Sequence, residues 1–520
     1  MGIGKVYLVG AGPGDPKLIT IKGLDCIKKA DVLVYDRLSS PRLLRHARPD
    51  CELIYVGKQP DRHTRSQEEI NWLLVHKALE GKIVTRLKGG DPCVFGRVGE
   101  EAELLAEHGI EFEIVPGITS AIAVPAYAGI PVTSRGVSPS FAVVAGHEDP
   151  TKGESAIDWQ TLAKATDTTI FLMGVANLES IVNRLMQYGK PPSTPVALIR
   201  WGTRVEQRTL VGTLENIVQR VRETNFRAPA TIVVGHVVSL RDKLMWYEKK
   251  PLFGKRVLVT RARDQASELS EQIDELGGDP YEFPVIQTVP PRNLQPLDDA
   301  IRRVHEFDWI LFTSVNSVKY FFERMRHLKK DIRAIRARIA AVGPKTAEKL
   351  EEKGLFPETI PADFRQEGLL DVLGGQIESG QKILFPRSSI ARKTLVNALR
   401  ERGCDVTEVD AYETQLVTDH AQEVADLLAR GKIHMITFTS SSTVTNFLTA
   451  LQGYDLEQLL ADVIIAAIGP VTANTAKEQG LRIDIVAKEA TIDGLVAALT
   501  NTAAQMPEKK GGLAHVTDRI

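Results

Sequence analysis

The chain begins with an apolar, strand-like run, Lys5-Val6-Tyr7-Leu8-Val9, and a glycine-rich loop, Gly10-Ala11-Gly12-Pro13-Gly14-Asp15, follows it directly. Loops of this kind open many α/β domains, which bind ligands beyond the carboxyl ends of their parallel strands. Pro13 lacks an amide hydrogen and has a fixed φ, so the loop is a poor cradle for phosphate, which binds free amides at a helix N-terminus. Taken alone, the loop predicts a tight turn between a strand and a helix.

The bulk properties indicate a globular protein of more than one domain. Its 520 residues exceed the roughly 250 to 300 residues at which a single core stops growing. A hydrophobic fraction of 43% and a charged fraction of 25% leave no room for a dominant disordered region. The net charge of −1 argues against nucleic acid or an anionic membrane surface as partners.

Targeting and metal-binding signals are weak in this sequence. No apolar run approaches the ~18 residues of a membrane helix, and the first residues lack a signal-peptide core, so we expect a cytoplasmic protein. The four cysteines form no CxxC pair, and the histidines lack zinc-like spacing. We therefore expect reduced thiols and no metal.

Strand-like runs alternate with amphipathic helical stretches along the whole chain, which is typical of α/β domains with mostly parallel sheets. The best boundary is the polar stretch Glu248-Lys249-Lys250-Pro251, after which a new strand begins at Arg256. We predict a first domain over 1–248, a linker over 249–255, a second domain over 256–500 and a polar tail over 501–520.

An internal repeat with an offset of 126 residues runs through the second half. Arg256-Val257-Leu258 matches Lys382-Ile383-Leu384 (382 − 256 = 126), and Phe312-Thr313-Ser314 matches Phe438-Thr439-Ser440. Gly343-Pro344-Lys345-Thr346-Ala347 likewise falls on Gly469-Pro470-Val471-Thr472-Ala473. The repeat predicts two similar α/β lobes, with a ligand in the cleft between them.

Further segments of the first half place small or acidic residues directly after apolar runs. They are Tyr35-Asp36-Arg37-Leu38, Val56-Gly57-Lys58, Arg86-Leu87-Lys88-Gly89-Gly90-Asp91-Pro92 and Val115-Pro116-Gly117-Ile118-Thr119-Ser120. With the glycine loop, this ordered set resembles the tetrapyrrole methylases, and within them the uroporphyrinogen-III C-methyltransferases. The resemblance spans about Lys5 to Trp246 and implies two α/β subdomains that enclose S-adenosylmethionine, with S-adenosylhomocysteine as its product.

The resemblance also implies a set of residues that line the cofactor. Carried over residue by residue, they are Pro13, Gly89, Gly90, Asp91, Val94, Thr119, Ser120, Met173 and Gly202. Val94 stands where isoleucine is common in the family, and Ser120 where alanine often occurs.

Catalytic roles in the first half also come from the resemblance, which makes Asp36 the candidate proton acceptor and Lys58 the candidate donor. Without it, Asp36 would be read as a helix N-cap or a salt-bridge partner, and Lys58 as a solvated surface charge. The implied substrate carries eight carboxylates, so the rim of the site needs cations. Available cations are Arg37, Lys58, Arg62, Arg65, Arg86, Lys88 and Arg97, of which we expect only a subset to bind substrate.

The repeat loops of the second half resemble uroporphyrinogen-III synthase from about Lys255 to Leu499. At the offset of 126, Thr288 falls on Thr414 but Ile286 falls on Tyr412, so a tyrosine replaces an apolar residue at a symmetric position. Such a tyrosine either packs with its hydroxyl in water or faces the cleft. The resemblance implies that Tyr412 faces the cleft as the acid of the site. Candidate substrate-binding hydroxyls are Thr346, Ser314, Ser440 and Thr472, and the alternative for each is a turn or N-cap role, above all for Ser314.

Together these features predict a bifunctional tetrapyrrole enzyme. The second half would close hydroxymethylbilane to uroporphyrinogen III, and the first would methylate that product twice to precorrin-2, on the way to sirohaem or cobalamin. The resemblance further implies a homodimer formed through the methyltransferase half. The alternatives are a methyltransferase acting on a later corrin intermediate and a second half that senses tetrapyrroles without catalysis. A small nucleotide-binding oxidoreductase is disfavoured by Pro13 and by the lack of a ribose-binding acidic motif.

Overall fold

The computed structural model describes residues 2–57, 65–147, 155, 157–261, 263–361, 366–389, 393–416 and 420–505. The chain divides into two compact units. The first contains the described parts of Met1–Arg256, Ile273–Asp279 and Thr500–Ile520, and the second contains those of Val257–Gln272 and Pro280–Leu499. Among these residues, no helix is both long enough and apolar enough to cross a membrane.

The first unit contains two five-stranded sheets. Its strands are β1 (Lys5–Gly10), β2 (Val32–Tyr35), β3 (Glu52–Tyr55), β4 (Ile83–Lys88), β5 (Glu111–Val115), β6 (Phe141–Ala145), β7 (Thr168–Leu172), β8 (Pro195–Arg200), β9 (Arg208–Thr213) and β10 (Ala230–Val234). Its helices are α1 (Ile21–Lys29), α2 (Gln67–Leu79), α3 (Val98–Glu107), α4 (Ser120–Tyr127), α5 (Trp159–Ala165), α6 (Leu178–Gln187), α7 (Ile217–Glu223) and α8 (Arg241–Leu244). Short 3-10 helices cover Pro16–Leu18, Pro41–His46, Val175–Asn177 and His236–Leu240.

The first sheet is wholly parallel, with the order β3-β2-β4-β1-β5. Residues of β1 alternate between two cores: Val6 and Leu8 enter one, and Val9 enters the other, with Tyr7 packed against it. Because both faces of the sheet are covered, the strand reads as a continuous apolar run rather than an alternating one. The connections of β1 and β4 leave in opposite directions, so the loops after these neighbouring strands flank a crevice at the carboxyl edge.

The second sheet departs from the mostly parallel expectation. Its order is β6-β7-β10-β8-β9, and only β6 and β7 are parallel neighbours. The three other pairs are antiparallel. The loop 201–207 returns the chain directly from β8 to β9, and such a short connection can only join antiparallel strands.

The second unit also contains two five-stranded sheets. Its strands are β11 (Arg256–Val259), β12 (Asp279–Glu282), β13 (Ile286–Val289), β14 (Trp309–Phe312), β15 (Arg338–Ala341), β16 (Lys382–Ser388), β17 (Asp405–Leu416), β18 (Met435–Phe438), β19 (Ile464–Ala467) and β20 (Ile485–Val486). Its helices are α9 (Arg263–Glu275), α10 (Gln295–Arg302), α11 (Val315–His327), α12 (Pro344–Glu351), α13 (Gln366–Leu373), α14 (Thr394–Glu401), α15 (Ala421–Ala429), α16 (Ser441–Ala450), α17 (Leu456–Leu460), α18 (Pro470–Glu478) and α19 (Ile492–Gln505). Val304–Glu306 and Ile332–Ala334 are 3-10 helices.

Two lobes are present in the second unit, but they are not the two repeats in sequence order. The first lobe is the sheet β12-β11-β18-β19-β20, and the second is β13-β17-β16-β14-β15. At the offset of 126, β11 corresponds to β16 and β14 to β18, so each lobe joins the first strands of one repeat to the last strands of the other. The repeats have therefore exchanged halves.

The exchange leaves a local symmetry where β13 pairs with the end of β17. This antiparallel ladder sets Thr288 opposite Thr414, and these two residues are also equivalent at the offset of 126. Two equivalent residues that face each other in an antiparallel pair lie on a pseudo-twofold axis. The axis relates the two repeats.

The ends of the second unit differ in detail from the predicted boundaries. Leu252, within the predicted linker, is fully buried, and its amide donates to the carbonyl of Leu276 in the first unit. The last described helix, α19, continues to Gln505, five residues into the stretch predicted as a polar tail.

Candidate active sites

Backbone contacts join the loops at the carboxyl edge of the first sheet. The amide of Gly90 donates to the carbonyl of Gly12 (2.7 Å), and the amide of Gly12 donates back to Gly90 (3.2 Å). A Cβ on Gly117 would lie 2.4 Å from the oxygen of Gly90 and 2.6 Å from the Cα of Gly10. Only glycines allow three backbone segments to approach this closely. The glycine loop after β1 therefore packs directly on the loops after β4 and β5.

Asp91 holds this edge together. One of its carboxylate oxygens accepts from the amide of Cys93 (2.7 Å), and the other accepts from the amide of Gly117 (2.8 Å). The carbonyl of Asp91 accepts from the amide of Val94 (3.2 Å). Thr119 is the N-cap of α4, which begins at Ser120. A Cβ on Gly90 would lie in ordinary van der Waals contact with Thr119 and Ser120, 3.7 Å from the Ser120 amide nitrogen. The structure thus brings five of the predicted cofactor residues to one edge.

The glycine loop also reaches the loop that carries Gly202. The amide of Asp15 donates to the Thr203 hydroxyl (3.0 Å), and the Tyr127 hydroxyl donates to the Asp15 carboxylate (2.7 Å). Burial raises the pKa of Tyr127, so this hydroxyl keeps its proton. Asp15 therefore fixes the end of the glycine loop next to the loop between β8 and β9.

Strained backbone gathers around the same loops. In the described chain, Phe95, Met173, Trp201 and Thr203 have positive φ although none is glycine. Such conformations cost about 1 to 3 kcal/mol each and concentrate at ligand-binding sites. Met173 is also 56% exposed, which is unusual for a methionine at the end of a buried strand.

Two of the predicted glycines have a packing explanation that needs no ligand. A Cβ on Gly89 would lie 2.5 Å from Cβ of Leu38, and a Cβ on Gly202 would lie 2.4 Å from the side chain of Val124. Pro13 is half-buried between Gly12 and Gly14. These three positions, like the other six, stay predictions as cofactor contacts.

Asp36 lies directly after β2 and has two partners. One carboxylate oxygen accepts from the amide of Leu38 (2.9 Å), and the other accepts from Arg86 (3.1 Å). Its side chain is 22% exposed, so it remains accessible at the edge of the sheet. Lys58, its predicted proton-donating partner, lies outside the described residues, as does Arg62.

Arg86 and Lys88 do not line a substrate rim, contrary to one possibility raised by the sequence. Both side chains are only 6% exposed, and both lie next to the fully buried carboxylate of Glu101, Lys88 at 2.6 Å and Arg86 at 3.6 Å. Burial lowers the pKa of the Lys88 ammonium. The sequence did carry a signal for Glu101, because it lies four residues before the buried Leu105 on α3 and hence on its core-facing stripe.

The other candidate cations are more exposed. Arg97 is 57% exposed and forms a bidentate ion pair with Glu100. Arg37 lies over the ring of Trp201 (5.6 Å to the centroid), and Arg204 also lies over it (5.0 Å). Arg204 was not identified from sequence. Arg65 is exposed and directly precedes the cap of α2.

In the second unit, Tyr412 lies at the carboxyl edge of the second lobe. Its hydroxyl is 3.2 Å from that of Ser314, and its ring stacks on Tyr320 with centroids 5.7 Å apart. The Tyr320 hydroxyl donates to the carbonyl of Thr288. Tyr412 is 9% exposed and lies next to the antiparallel ladder of β13 and β17. Its equivalent in the first repeat, at the offset of 126 residues, is Ile286. Tyr320 was not identified from sequence.

The four candidate hydroxyls of the second unit lie at helix N-termini. Ser314 caps α11 by accepting from the Ser317 amide (3.1 Å), and Ser440 caps α16 by accepting from the Thr443 amide (3.3 Å). Both therefore have the N-cap role that the sequence left open. Thr346 and Thr472 are 6% and 5% exposed in the first turns of α12 and α18. In the described parts of both units, no three His, Cys, Asp or Glu side chains could jointly hold a metal ion.

Comparisons with known proteins match each half of the chain. A model of the tetrapyrrole (corrin/porphyrin) methylases matches residues 5–218, and a model of uroporphyrinogen-III synthase HemD matches residues 267–497. The porphyrin biosynthesis protein HemD of Ruminiclostridium josui is 40% identical over 497 residues, which is 95% of this chain and 97% of that protein. The uroporphyrinogen-III C-methyltransferase of Priestia megaterium is 59% identical over 237 residues, 46% of this chain and 99% of that protein.

A solved structure also matches the first half. The uroporphyrin-III C-methyltransferase of Thermus thermophilus, complexed with S-adenosylhomocysteine, has a TM-score of 0.40 and 39% identity over 46% of this chain and all of that one.

The two halves thus define a two-part enzyme of tetrapyrrole biosynthesis. The chain belongs to the tetrapyrrole methylase family in its first half and to the HemD uroporphyrinogen-III synthase family in its second. Both resemblances inferred from the sequence are confirmed, as is the α/β fold class with two subdomains and two lobes.

Proposed function

We propose that the second half closes hydroxymethylbilane to uroporphyrinogen III with inversion of the last ring. The first half then transfers two methyl groups from S-adenosylmethionine to that product, giving precorrin-2. The observation that carries this proposal is the match of one chain, over nearly its whole length, to a HemD protein while its first half matches stand-alone methyltransferases. The product of one half is the substrate of the other.

The loops of the first unit suit a cationic, sulfonium-bearing cofactor better than a phosphate. Pro13 offers no amide hydrogen. The amides of Gly12 and Gly90 donate to each other's carbonyls, and those of Cys93 and Gly117 donate to Asp91, so none of these four is free to bind a phosphate. The positive φ and the exposure of Met173, directly after β7, support a ligand-binding role for these loops. Pro13, Gly89, Gly90, Asp91, Val94, Thr119, Ser120, Met173 and Gly202 would hold the cofactor, which supplies an electrophilic methyl group.

Asp36 would complete the methyl transfer. When a pyrrole carbon bonds to the methyl group, the methyl–sulfur bond breaks and its electron pair stays on sulfur, so the positive charge passes to the pyrrole. Loss of a proton from the ring restores neutrality, and the Asp36 carboxylate would accept it. Arg86 orients that carboxylate through a 3.1 Å hydrogen bond. Lys58, by resemblance, would donate a proton.

Tyr412 would act as the acid of the synthase half. Hydroxymethylbilane loses its terminal hydroxyl, which leaves as water once a proton is added, and the resulting cation is attacked by the substituted carbon of the last ring. The Tyr412 hydroxyl can donate that proton, with Ser314 3.2 Å away to orient it. The enzyme must also hold the flexible, linear tetrapyrrole in a folded conformation. Helix N-termini and their hydroxyls offer hydrogen-bond donors to its carboxylates. We place Thr346, Ser440 and Thr472 in that role.

The test is to supply the purified protein with hydroxymethylbilane and S-adenosylmethionine and to analyse the products. Precorrin-2 as the main product supports both activities. Uroporphyrinogen I as the sole macrocycle would exclude an active synthase half, since it is the product of spontaneous closure. Uroporphyrinogen III left without added methyl groups would instead exclude the methyltransferase assignment.

A further inference from the structure

Asp36, Arg86, Lys88 and Glu101 form one buried charge cluster behind the carboxyl edge of the first sheet. The Glu101 side chain has no exposed surface, and one of its oxygens accepts from Lys88 (2.6 Å) and from Gln67 (3.2 Å). The same oxygen is 3.6 Å from the Nε of Arg86. Arg86 in turn donates to the carbonyl of Leu87 (2.7 Å) and to Asp36 (3.1 Å).

The formal charges of the side chains in this cluster balance. Among the described residues of the cluster, two cations, Arg86 and Lys88, face two carboxylates, Asp36 and Glu101. Asp36 is the sole member with notable exposure, and Lys88 senses the charge of Asp36 as well as that of Glu101. A buried cation without a counter-ion is strongly unfavourable, so loss of Glu101 would leave Lys88 to be neutralised by Asp36.

We propose that Glu101 is a positioning residue for methyl transfer. It neutralises Lys88 and thereby leaves Asp36 held by Arg86 and the Leu38 amide, and free to accept a proton. Without Glu101, Asp36 becomes the counter-ion of two buried cations. A carboxylate that pairs with two cations is a poorer base, because both ion pairs weaken when it takes up a proton. The inference rests on the proposed role of Asp36 in the first half.

The experiment measures methyl transfer from S-adenosylmethionine to uroporphyrinogen III by the full-length protein. Glu101→Gln keeps the size and hydrogen-bonding capacity of the side chain but removes its charge. We expect kcat to fall about tenfold, a fraction of the roughly 100- to 10,000-fold that a positioned base contributes, with the KM for S-adenosylmethionine unchanged. Glu100→Gln is the matched control on the same helix, since Glu100 is exposed and pairs with Arg97 at the surface. It should keep wild-type kcat.

A second variant separates this role from a merely structural one. Lys88→Met combined with Glu101→Gln removes one cation and one anion and leaves Arg86 paired with Asp36. If Glu101 acts by neutralising Lys88, the double variant recovers kcat to within about threefold of wild type. A thermal unfolding midpoint near that of the wild type establishes that each variant is folded.

The outcomes distinguish this inference from the proposed function. An unchanged kcat in Glu101→Gln, or no recovery in the double variant, overturns the positioning role while leaving the methyltransferase assignment intact. Full methyl transfer by Asp36→Asn would instead overturn the proposed proton acceptor. No methyl transfer by the wild-type protein would overturn the proposed function itself.

Discussion

At the scale of single residues, the meeting of Gly10, Gly90 and Gly117 gives the sharpest steric prediction. A methyl group on Gly117 would lie 2.4 Å from a backbone oxygen and 2.6 Å from a Cα, neither of which can move without shifting a strand or its loop. We expect Gly117→Ala to destabilise the first unit by about 1 to 3 kcal/mol, as overpacking does, and to impair methyl transfer. Urea unfolding followed by circular dichroism measures the first effect.

Gly99→Ala is the matched control. Gly99 lies in the first turn of α3, its φ is ordinary, and an added Cβ meets nothing within 4 Å. Alanine is the better helix former, so this variant should be more stable by roughly 0.5 to 1 kcal/mol. Equal effects of the two substitutions would show that close packing does not explain Gly117.

Tyr412 gives a catalytic prediction at the same scale. Tyr412→Phe keeps the ring that stacks on Tyr320 but removes the hydroxyl that meets Ser314. We expect the rate of uroporphyrinogen III formation to fall about 100-fold, the lower end of what a positioned acid contributes, while uroporphyrinogen I accumulates by spontaneous closure. Chromatographic separation of the two isomers measures the ratio. Tyr454→Phe, which loses only an exposed hydrogen bond to Gln422, should leave the ratio unchanged.

Residues that close a turn or follow a strand were predictable from sequence, whereas residues that act through a partner were not. The glycine loop was predicted because its residue types show its backbone demands, and Asp91 was inferred from its place after an apolar run and from the family resemblance. Glu101 was missed because its partners Lys88 and Gln67 are 13 and 34 residues away, and only the fold makes them neighbours. Arg86 and Lys88 were named as cations available for substrate, and their burial beside Glu101 was not predicted for the same reason.

At the scale of elements, an ion pair joins α10 to α11 on the second lobe. Arg324 donates to both oxygens of Asp298, at 2.6 and 2.7 Å, and the Asp298 side chain is only 9% exposed. The hydrogen bond from Arg324 lowers the pKa of Asp298. Asp298→Asn should therefore lower the free energy of unfolding at pH 7 by about 2 kcal/mol, in the range for hydrogen bonds to charged groups.

The pH dependence of that stabilisation follows from the sign of the shift. A carboxylate whose pKa is lower in the folded state stabilises the fold above its unfolded pKa of about 3.9, and the stabilisation is lost as pH falls through the folded value. The difference between wild type and Asp298→Asn should thus shrink below about pH 4, as urea unfolding at several pH values can show. Asp331 pairs with Arg333 on the surface, with its pKa lowered to about 2. Asp331→Asn should change stability little, because exposed pairs are screened by solvent.

Sequence patterns identified the buried strands of both units but not the direction in which those strands run. Strands covered on both faces, such as β1 and β14, read as continuous apolar runs, and this is the pattern of a parallel sheet. Strands β8 and β10 are equally buried, although they run antiparallel. The burial of a strand therefore determines its apolar sequence pattern, and that pattern does not reveal the direction of the strand.

At the scale of the whole molecule, the repeat predicted two lobes but not which strands each would contain. An offset of 126 residues shows which segments are equivalent and carries no information on which of them pair. On one side β11 pairs with β12 of its own repeat, but on the other it pairs with β18 rather than with β14, the equivalent of β18 in its own repeat, and this is a long-range choice. The pairing of Thr288 with its own equivalent, Thr414, is the local sign of that choice.

The exchanged repeats predict how the second unit responds to a cut. Gly380 lies in an exposed turn with positive φ between the two repeats, immediately before β16. A protease site inserted there and cleaved in the folded protein should leave the two fragments associated, because each sheet contains strands from both sides of the cut. Size-exclusion chromatography before and after addition of denaturant measures this, with release expected only in denaturant.

Expressing the two repeats separately gives a sharper test. If each repeat formed its own lobe, the two lobes could also stay associated after a cut. With exchanged halves, the segments 256–381 and 382–505 each lack the partner strands of both their sheets, so neither should fold alone, and co-expression should restore a folded unit. A cooperative unfolding transition in either segment by itself would contradict the exchange. The exchange also ties the synthase chemistry to an intact second half: Ser314 comes from one repeat and Tyr412 from the other, and they meet only when both segments enter the same lobe.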